Sequence, residues 1–299
     1  MNVVLEVCPI CTKRTIIWSY SGRPVRVEWR GEGTFEIWKC TSCSHQFINP
    51  APNDDMLIRC YSSQYSAYTA GHGIEGLQEA KETAEREKYY RHVELNNELD
   101  VLDIGCGSGS FLAVIRDQVR SILGIEPSEH GFETCKTFDI PVFLGGMEAY
   151  STVNDTKFDL ITLNHVLEHH PAPLRLLDLC RQHLKPEGRI WLAVPNGGCY
   201  FAKKLRSNWH SSDLPVHLQH FTVASLQQAI KQTGLHVRQV RTESENSLPS
   251  SAATVLRRFG LPARVSRRAL KSSLSKEGWI GKRIDESGNG EAILLSASH

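Results

Sequence analysis

The sequence predicts an α/β protein, with a seven-stranded parallel sheet covered by helices on both faces and a small cysteine-rich module in front. Three observations predict this class. From residue 99 onward, apolar β-branched runs alternate with helix-favouring runs, the pattern of crossover connections. Val101-Leu-Asp-Ile-Gly-Cys-Gly-Ser-Gly-Ser110 reads as strand, glycine turn and helix start, and Glu126 ends the next apolar run 21 residues after Gly105. Near the start, Cys8-Pro-Ile-Cys11 and Cys40-Thr-Ser-Cys43 set two CxxC units 28 residues apart.

The cysteine pairs define residues 1–48 as a zinc ribbon. Two residues between cysteines let both thiolates face one ion from one tight turn. Two such turns complete a tetrahedral sulfur site, which selects zinc. Between them, Thr15–Trp18, Val25–Trp29 and Thr34–Trp38 are short β-branched and aromatic runs, with Gly22, Gly31 and Gly33 at turns. A module of about 45 residues cannot bury enough surface to fold alone, so the metal supplies the missing stability. Four cysteine ligands leave no open position, so the zinc is expected to be structural. His45 is expected at the surface.

Residues 49–98 read as a linker and lead-in helix. Asn49-Pro-Ala-Pro52 and Tyr61, Tyr65 and Tyr68 form the linker, and the charged stretch 74–97 favours a helix. Residues 99–299 form the main domain, with strands expected near 100–104, 121–126, 140–144, 158–163, 189–194, 235–242 and 291–297. A helix over 173–184 carries Leu177, Cys180 and Leu184 on one stripe. Another starts at Thr222, an N-cap type, and stops at Gly234, a C-cap type. The last two strands are separated by 243–290, too long for a bare connection. Its middle, 251–276, holds Arg257, Arg258, Arg264, Arg267, Arg268, Lys271 and Lys276 with no acid. A basic helical insert is expected at about 243–290, read first as a solvated surface element and alternatively as one that meets an acidic or membrane-associated substrate through 251–276.

Composition narrows the function. A net charge of +1 over 299 residues argues against a general polyanion binder. Within 8–43 six basic side chains face three acidic ones, so nucleic acid is not the expected partner, although Trp18, Trp29 and Trp38 are available for stacking. No apolar run approaches the ~18 residues of a membrane span. The N-terminus lacks a basic start, a long apolar stretch and a cleavage site. Nine cysteines, an odd number, do not form a secreted disulfide framework, and Cys60, Cys106, Cys135, Cys180 and Cys199 are expected reduced and mostly buried. A cytoplasmic protein is expected.

The glycine turn builds a nucleoside pocket without a phosphate cradle. Gly105, Gly107 and Gly109 let the backbone turn sharply and lie close to a ligand. Glu126 sits where a carboxylate accepts both ribose hydroxyls. Ser110 takes the place of the last glycine of a dinucleotide fingerprint. Asp103, two residues before the first glycine, would repel a pyrophosphate and attract a cation. The layout resembles motif I of class I S-adenosylmethionine methyltransferases, whose cofactor carries a sulfonium and an amino group but no phosphate. The resemblance continues in order through Val166-Leu-Glu-His169 with its following prolines and Leu184-Lys-Pro-Glu-Gly188, covering 99–242. The front, a zinc ribbon followed by Gln46-Phe-Ile-Asn-Pro50 and a tyrosine, is similar to ribbon-bearing methyltransferases of sugar, glycan and natural-product pathways.

That resemblance implies a Rossmann-like methyltransferase sheet, S-adenosylmethionine as cofactor, and O- or C-methylation of a small molecule or carrier-linked sugar. It implies cofactor contacts from Asp103, Gly105, Cys106, Gly107, Gly109, Glu126 and Pro127. Gly146–Glu148, with Met147 and Glu148, are implied beside adenine, and Asn164 and His165 near the methionine portion. In C-methylating relatives a tyrosine and a glutamate precede the histidine at the position of His217; here Leu214 and Val216 stand there, which favours O-methylation. His217 is implied as the base, with an ordinary histidine pKa of ~6.5 suited to the task. His220 is the alternative, and His165, Glu168 and His169 position or polarise the acceptor. Some quinone O-methyltransferases hold a divalent ion on a carboxylate-x-x-Glu-His cluster here, and His165 takes the first position in this chain. His165-x-x-Glu168-His169 also fits a zinc-protease string, but that motif belongs on a helix. The Asn/Asp-Pro-Pro-aromatic motif of amino-methylating enzymes and the Pro-Cys nucleophile of cytosine methylation are both missing. An RNA methyltransferase that grips nucleic acid with its ribbon, and a non-catalytic cofactor-binding docking protein, are the alternatives.

Overall fold

Short β-branched and aromatic runs in the first 48 residues form three antiparallel strands, β1 (Ile16–Gly22), β2 (Phe35–Cys40) and β3 (Gln46–Ile48). The computed structural model describes residues 4–24, 26–60, 92–243, 284–285, 287 and 289–299. The run expected as the middle β-branched segment differs: Val27–Glu32 winds as a 3-10 helix. Its Arg26 is drawn into an ion pair with Asp213 and its Trp29 is buried, so tertiary partners override strand propensity. Helix α1 (Asp54–Cys60) follows, with Met56 and Leu57 packed on Ile37 and Ile48 of the ribbon.

The main sheet has seven strands: β4 (Asp100–Ile104), β5 (Ser121–Glu126), β6 (Val142–Leu144), β7 (Phe158–Asn164), β8 (Leu184–Pro195), β10 (His236–Glu243) and β11 (Ala292–Ser298). Their order is β10-β11-β8-β7-β4-β5-β6. All pairs are parallel except those that β11 makes with β8 and β10. The two central strands, β4 and β7, are those from which the order runs outward in opposite directions. The crevice at their carboxyl ends is where such sheets bind ligands. β8 begins at Leu184, earlier than expected, because Leu184 pairs with Phe158 across a register irregularity.

Helices cover both faces: α2 (Ser110–Ile115), α3 (Glu129–Thr137), α4 (Met147–Val153), α5 (Pro173–Gln182), α6 (Tyr200–Leu205) and α7 (Val223–Gln232). Thr222 caps α7 through a capping box with Ser225, and Gly234 follows with φ +76°, as its cap-type residues predict. A short strand β9 (Gln219–His220) precedes that helix and pairs with β3. The ribbon is therefore hydrogen-bonded to the main domain. One buried cluster runs from Cys8, Ile10, Cys11 and Cys40 through Phe221 and Leu226 to Leu102 and Ile161.

His45 departs from the surface position expected of it. It is 0% exposed, stacked on Phe47 and tilted against Phe221, with Nε2 2.9 Å from Gln219 Oε1. Its seam with β9 buries it, and burial pushes its pKa down to about 3. Cys60, Cys106, Cys135, Cys180 and Cys199 are free and buried, as expected. The lead-in helix, Tyr61, Tyr65 and Tyr68, and the basic stretch 251–276 lie outside the described residues. Among the described residues no helix is long and apolar enough to cross a membrane.

Candidate active site

The turn after β4 uses its three glycines as the sequence demands. Gly105, Gly107 and Gly109 have φ of +67°, +57° and +76°, in the left-handed region that side chains resist. A Cβ on Gly105 would stand 2.6 Å from Val166 Cγ2, so the loop after β7 lies directly against this turn. Glu126, at the end of β5, is buried. Its Oε2 accepts the Gly107 amide at 2.8 Å and its Oε1 accepts the Ser128 amide at 2.9 Å. The carboxylate is thus held against the glycine turn by backbone donors.

Asp103 lies at 3% exposure within β4 and accepts a 2.6 Å hydrogen bond from the Thr162 hydroxyl of β7. Burial raises its pKa to about 7, with the nearby Glu126 charge adding to the shift. Cys106 is buried with its Sγ 3.8 Å from Cys135 Sγ on α3. Pro127 is exposed beside Glu126. Met147 starts α4 in the core, and Glu148 Oε1 lies 3.0 Å from His170 Nε2.

The loop after β7 gathers the histidines. Asn164 ends the strand with its Oδ1 buried and without a hydrogen-bond partner. His165 follows with φ +54°, a strained value for a residue with a side chain, and its Nδ1 lies 3.1 Å from Glu168 Oε1. Leu167–His169 forms one 3-10 turn, which rules out the helical frame of the zinc-protease string. Glu168 is 0% exposed, and its Oε2 has no hydrogen-bond partner.

His169 and His217 meet Glu168 from two directions. Their rings stand edge-to-face at 4.6 Å, and one ligand-type atom from each of the three residues lies within 4.8 Å of the others. His169 Nδ1 is 3.0 Å from the Val216 carbonyl and His217 Nδ1 is 2.9 Å from the Ser211 carbonyl. A carbonyl only accepts, so both Nδ1 atoms donate and both Nε2 atoms carry the lone pair. Burial, the larger cause, lowers the His169 pKa to about 4 and the His217 pKa to about 3. Both are therefore neutral at physiological pH. That differs from the ordinary histidine pKa on which the base assignment rests.

The ribbon helps position this cluster. Arg26 donates to both oxygens of Asp213, at 2.7 and 2.8 Å, and the Asp213 carbonyl accepts the His217 amide. His220 does not join His217. It is 5% exposed on β9, its Nε2 has no partner, and it lines a cleft between ribbon and domain. Sequence reasoning missed Asp213, Arg26 and Ser211, which sequence separation hides. In the ribbon the four cysteine sulfurs converge, with Cys8–Cys43 and Cys11–Cys40 at 3.6 and 3.5 Å. A tetrahedral zinc with ~2.3 Å bonds needs sulfurs about 3.8 Å apart, so the set fits a zinc ribbon.

Residues 75–240 match the family model described as a methyltransferase domain. The ubiquinone biosynthesis O-methyltransferase of Pasteurella multocida is 30% identical over 165 residues, 46% of this chain and 68% of that one. The enzyme of the same name from Histophilus somni is 31% identical over 152 residues, 42% of this chain and 63% of that one. The chain thus spans about two thirds of the length of these relatives. Among solved structures, a methyltransferase bound to the Haloferax volcanii Trm112 activator aligns with a TM-score of 0.52 at 16% identity, over 74% of this chain and 95% of that one. A Thermotoga maritima SAM-dependent methyltransferase aligns with a TM-score of 0.50 at 17% identity, over 75% and 93%. With the sheet order, the glycine turn and the Glu126 carboxylate in place, the chain belongs to the class I S-adenosylmethionine-dependent methyltransferases.

Proposed function

We propose that the chain transfers the methyl group of S-adenosylmethionine to a hydroxyl oxygen of a small-molecule or carrier-linked sugar acceptor in glycan or natural-product biosynthesis. The observation that carries this reading is the convergence of Glu168, His169 and His217 beside the glycine turn. The sulfonium already activates the methyl group, so the chain must align acceptor, carbon and sulfur and exclude water. In this reading Gly105, Cys106, Gly107 and Gly109 shape the cofactor turn. Asp103 and Glu126 orient its polar ends, Pro127, Met147 and Glu148 border the adenine, and Asn164 and His165 face the methionine portion. Transfer to oxygen is supported by the relatives' names and by Leu214 and Val216 in the places of tyrosine and glutamate.

His217 holds its neutral imidazole beside the acceptor, with the Nε2 lone pair available to the departing hydroxyl proton. Its lowered pKa makes it a weak base by itself. Glu168, His169 and His217 also suit a divalent cation, because the Glu168 Oε2 is orphaned and both Nδ1 atoms are fixed by carbonyls. Such a cation, when bound, supplies Lewis acidity to the acceptor hydroxyl. The four ribbon cysteines hold a structural zinc, supported by the convergence of their sulfurs. A cytoplasmic location is supported by the five free buried thiols outside the ribbon.

Incubation of the protein with labelled S-adenosylmethionine and small-molecule extracts, followed by mass spectrometry, tests the reading. A new O-methyl product is expected, and Glu168→Gln is expected to lower turnover about 100-fold while S-adenosylhomocysteine still binds. Binding of a dinucleotide in place of S-adenosylhomocysteine rejects the reading, and label on carbon rejects its oxygen specificity.

A further inference from the structure

A cleft lies between the ribbon and the main domain. Its volume is about 600 Å³, within the range of small-ligand sites, and no glycine-turn residue lines it. Lys39 of β2, Lys203 of α6 and Arg206 bring three positive charges to its wall, and no Asp or Glu is among the described lining residues. None of the three cations forms a salt bridge among the described residues. Arg206 is held at φ +52°, and its guanidinium lies 5.7 Å from the centroid of the Tyr20 ring of the ribbon. The backbone thus bears strain to hold a cation at this seam.

Two further polar features lie at the same wall. His220, 5% exposed, lines the cleft with its Nε2 lacking any partner. The ten-residue helix α7 starts at the cleft wall with Val223 and Ala224. Thr222 caps only the Ser225 amide, so the two amides before it are left to partners outside the helix, at its positive end.

We propose that this cleft anchors a phosphate or diphosphate ester on the methyl acceptor. The inference rests on the methyl-transfer reading, because the anchored molecule is the acceptor of that reaction. The segment from His217 to His220 joins the two places. His217 stands at the Glu168 cluster and His220 lines the cleft. Residues three apart in the chain lie at most about 10 Å apart, so the cleft begins within about that distance of the Glu168 cluster and an acceptor can reach both. The wall lacks the long basic stripe that a nucleic-acid backbone needs.

Calorimetry on the full chain tests this, with inorganic pyrophosphate as the probe and S-adenosylhomocysteine titrated in the same sample. Pyrophosphate is expected to bind beside bound S-adenosylhomocysteine, more weakly as salt rises. The double variant Lys203→Gln/Arg206→Gln is expected to lose about ten-fold or more in pyrophosphate affinity, with S-adenosylhomocysteine affinity unchanged. Both residues are exposed, and an unchanged melting temperature verifies the fold of the variant. Absent pyrophosphate binding, an undiminished affinity in the variant, or competition between the two ligands overturns the proposal. So does tighter binding of a single-stranded RNA oligomer that is lost in the same variant. Failure of S-adenosylhomocysteine alone to bind instead removes the methyl-transfer reading, and with it the acceptor role of the cleft.

Discussion

Asp103 is a buried acid whose pKa lies near 7, next to the glycine turn where the proposed reading seats a sulfonium cofactor. A ligand with positive charge binds its ionised form better, so binding releases a proton. Affinity for S-adenosylmethionine is therefore expected to rise between pH 6 and pH 7.5 and then level off. Calorimetry across that range checks it, and Asp103→Asn should flatten the profile. Gly105 offers a steric test. Alanine there would take a left-handed backbone and place its Cβ 2.6 Å from Val166 Cγ2. A stability loss of about 1–2 kcal/mol is expected from the backbone alone. Cofactor affinity should fall with it, read by denaturant melts and calorimetry on the same sample. The glycine turn and Glu126 were legible in the sequence because they are local: a strand, a turn and an acid at fixed spacing. The low pKa of His217 was not, because it comes from burial by segments far away in the chain.

Strands were legible wherever β-branched runs were bounded by turn residues, and all seven expected main-sheet strands are present. The 3-10 turn at Val27–Glu32 escaped because its N-cap, Arg26, is tied to Asp213, 187 residues distant. His45 escaped for the same reason, since Gln219 and Ser225 close over it. The β3–β9 pairing couples the ribbon to the histidine segment, and the Arg26–Asp213 pair adds a second tie. Cys40→Ser, or stripping the metal with a chelator, is expected to loosen both. Turnover should then fall at least about ten-fold while S-adenosylhomocysteine binding persists, and amides of β9 should exchange faster with deuterium. Equal loss of turnover and cofactor binding would contradict this coupling.

At the scale of the whole molecule, buried histidines govern acid stability. His45, His217 and His220 have pKa values near 3 and His169 near 4, all lowered by burial. In the unfolded chain each takes up a proton near pH 6.5, so the unfolded state binds more protons between that pH and the folded values. Their stabilisation is present above pH 6.5 and is lost as pH falls toward 3–4. Asp103 acts in the opposite sense, favouring the fold as pH drops from 7 to 4. Four groups outweigh one. A loss on the order of a few kcal/mol is expected between pH 7 and pH 5, measurable by urea unfolding at the two values. A flat profile would mean that these rings are hydrated in solution.

The seam between Gln46–Phe47 and Gln219–His220 also decides what a protease could achieve. Cys60 ends α1 on the ribbon side, and His92 lies ahead of β4 in the main domain. A single scission between those points divides the molecule into two polypeptides that remain laced by main-chain bonds, the Arg26–Asp213 clasp and a shared apolar interior. The front piece should therefore co-elute with the rest after nicking, and separate fragments should reassemble on mixing.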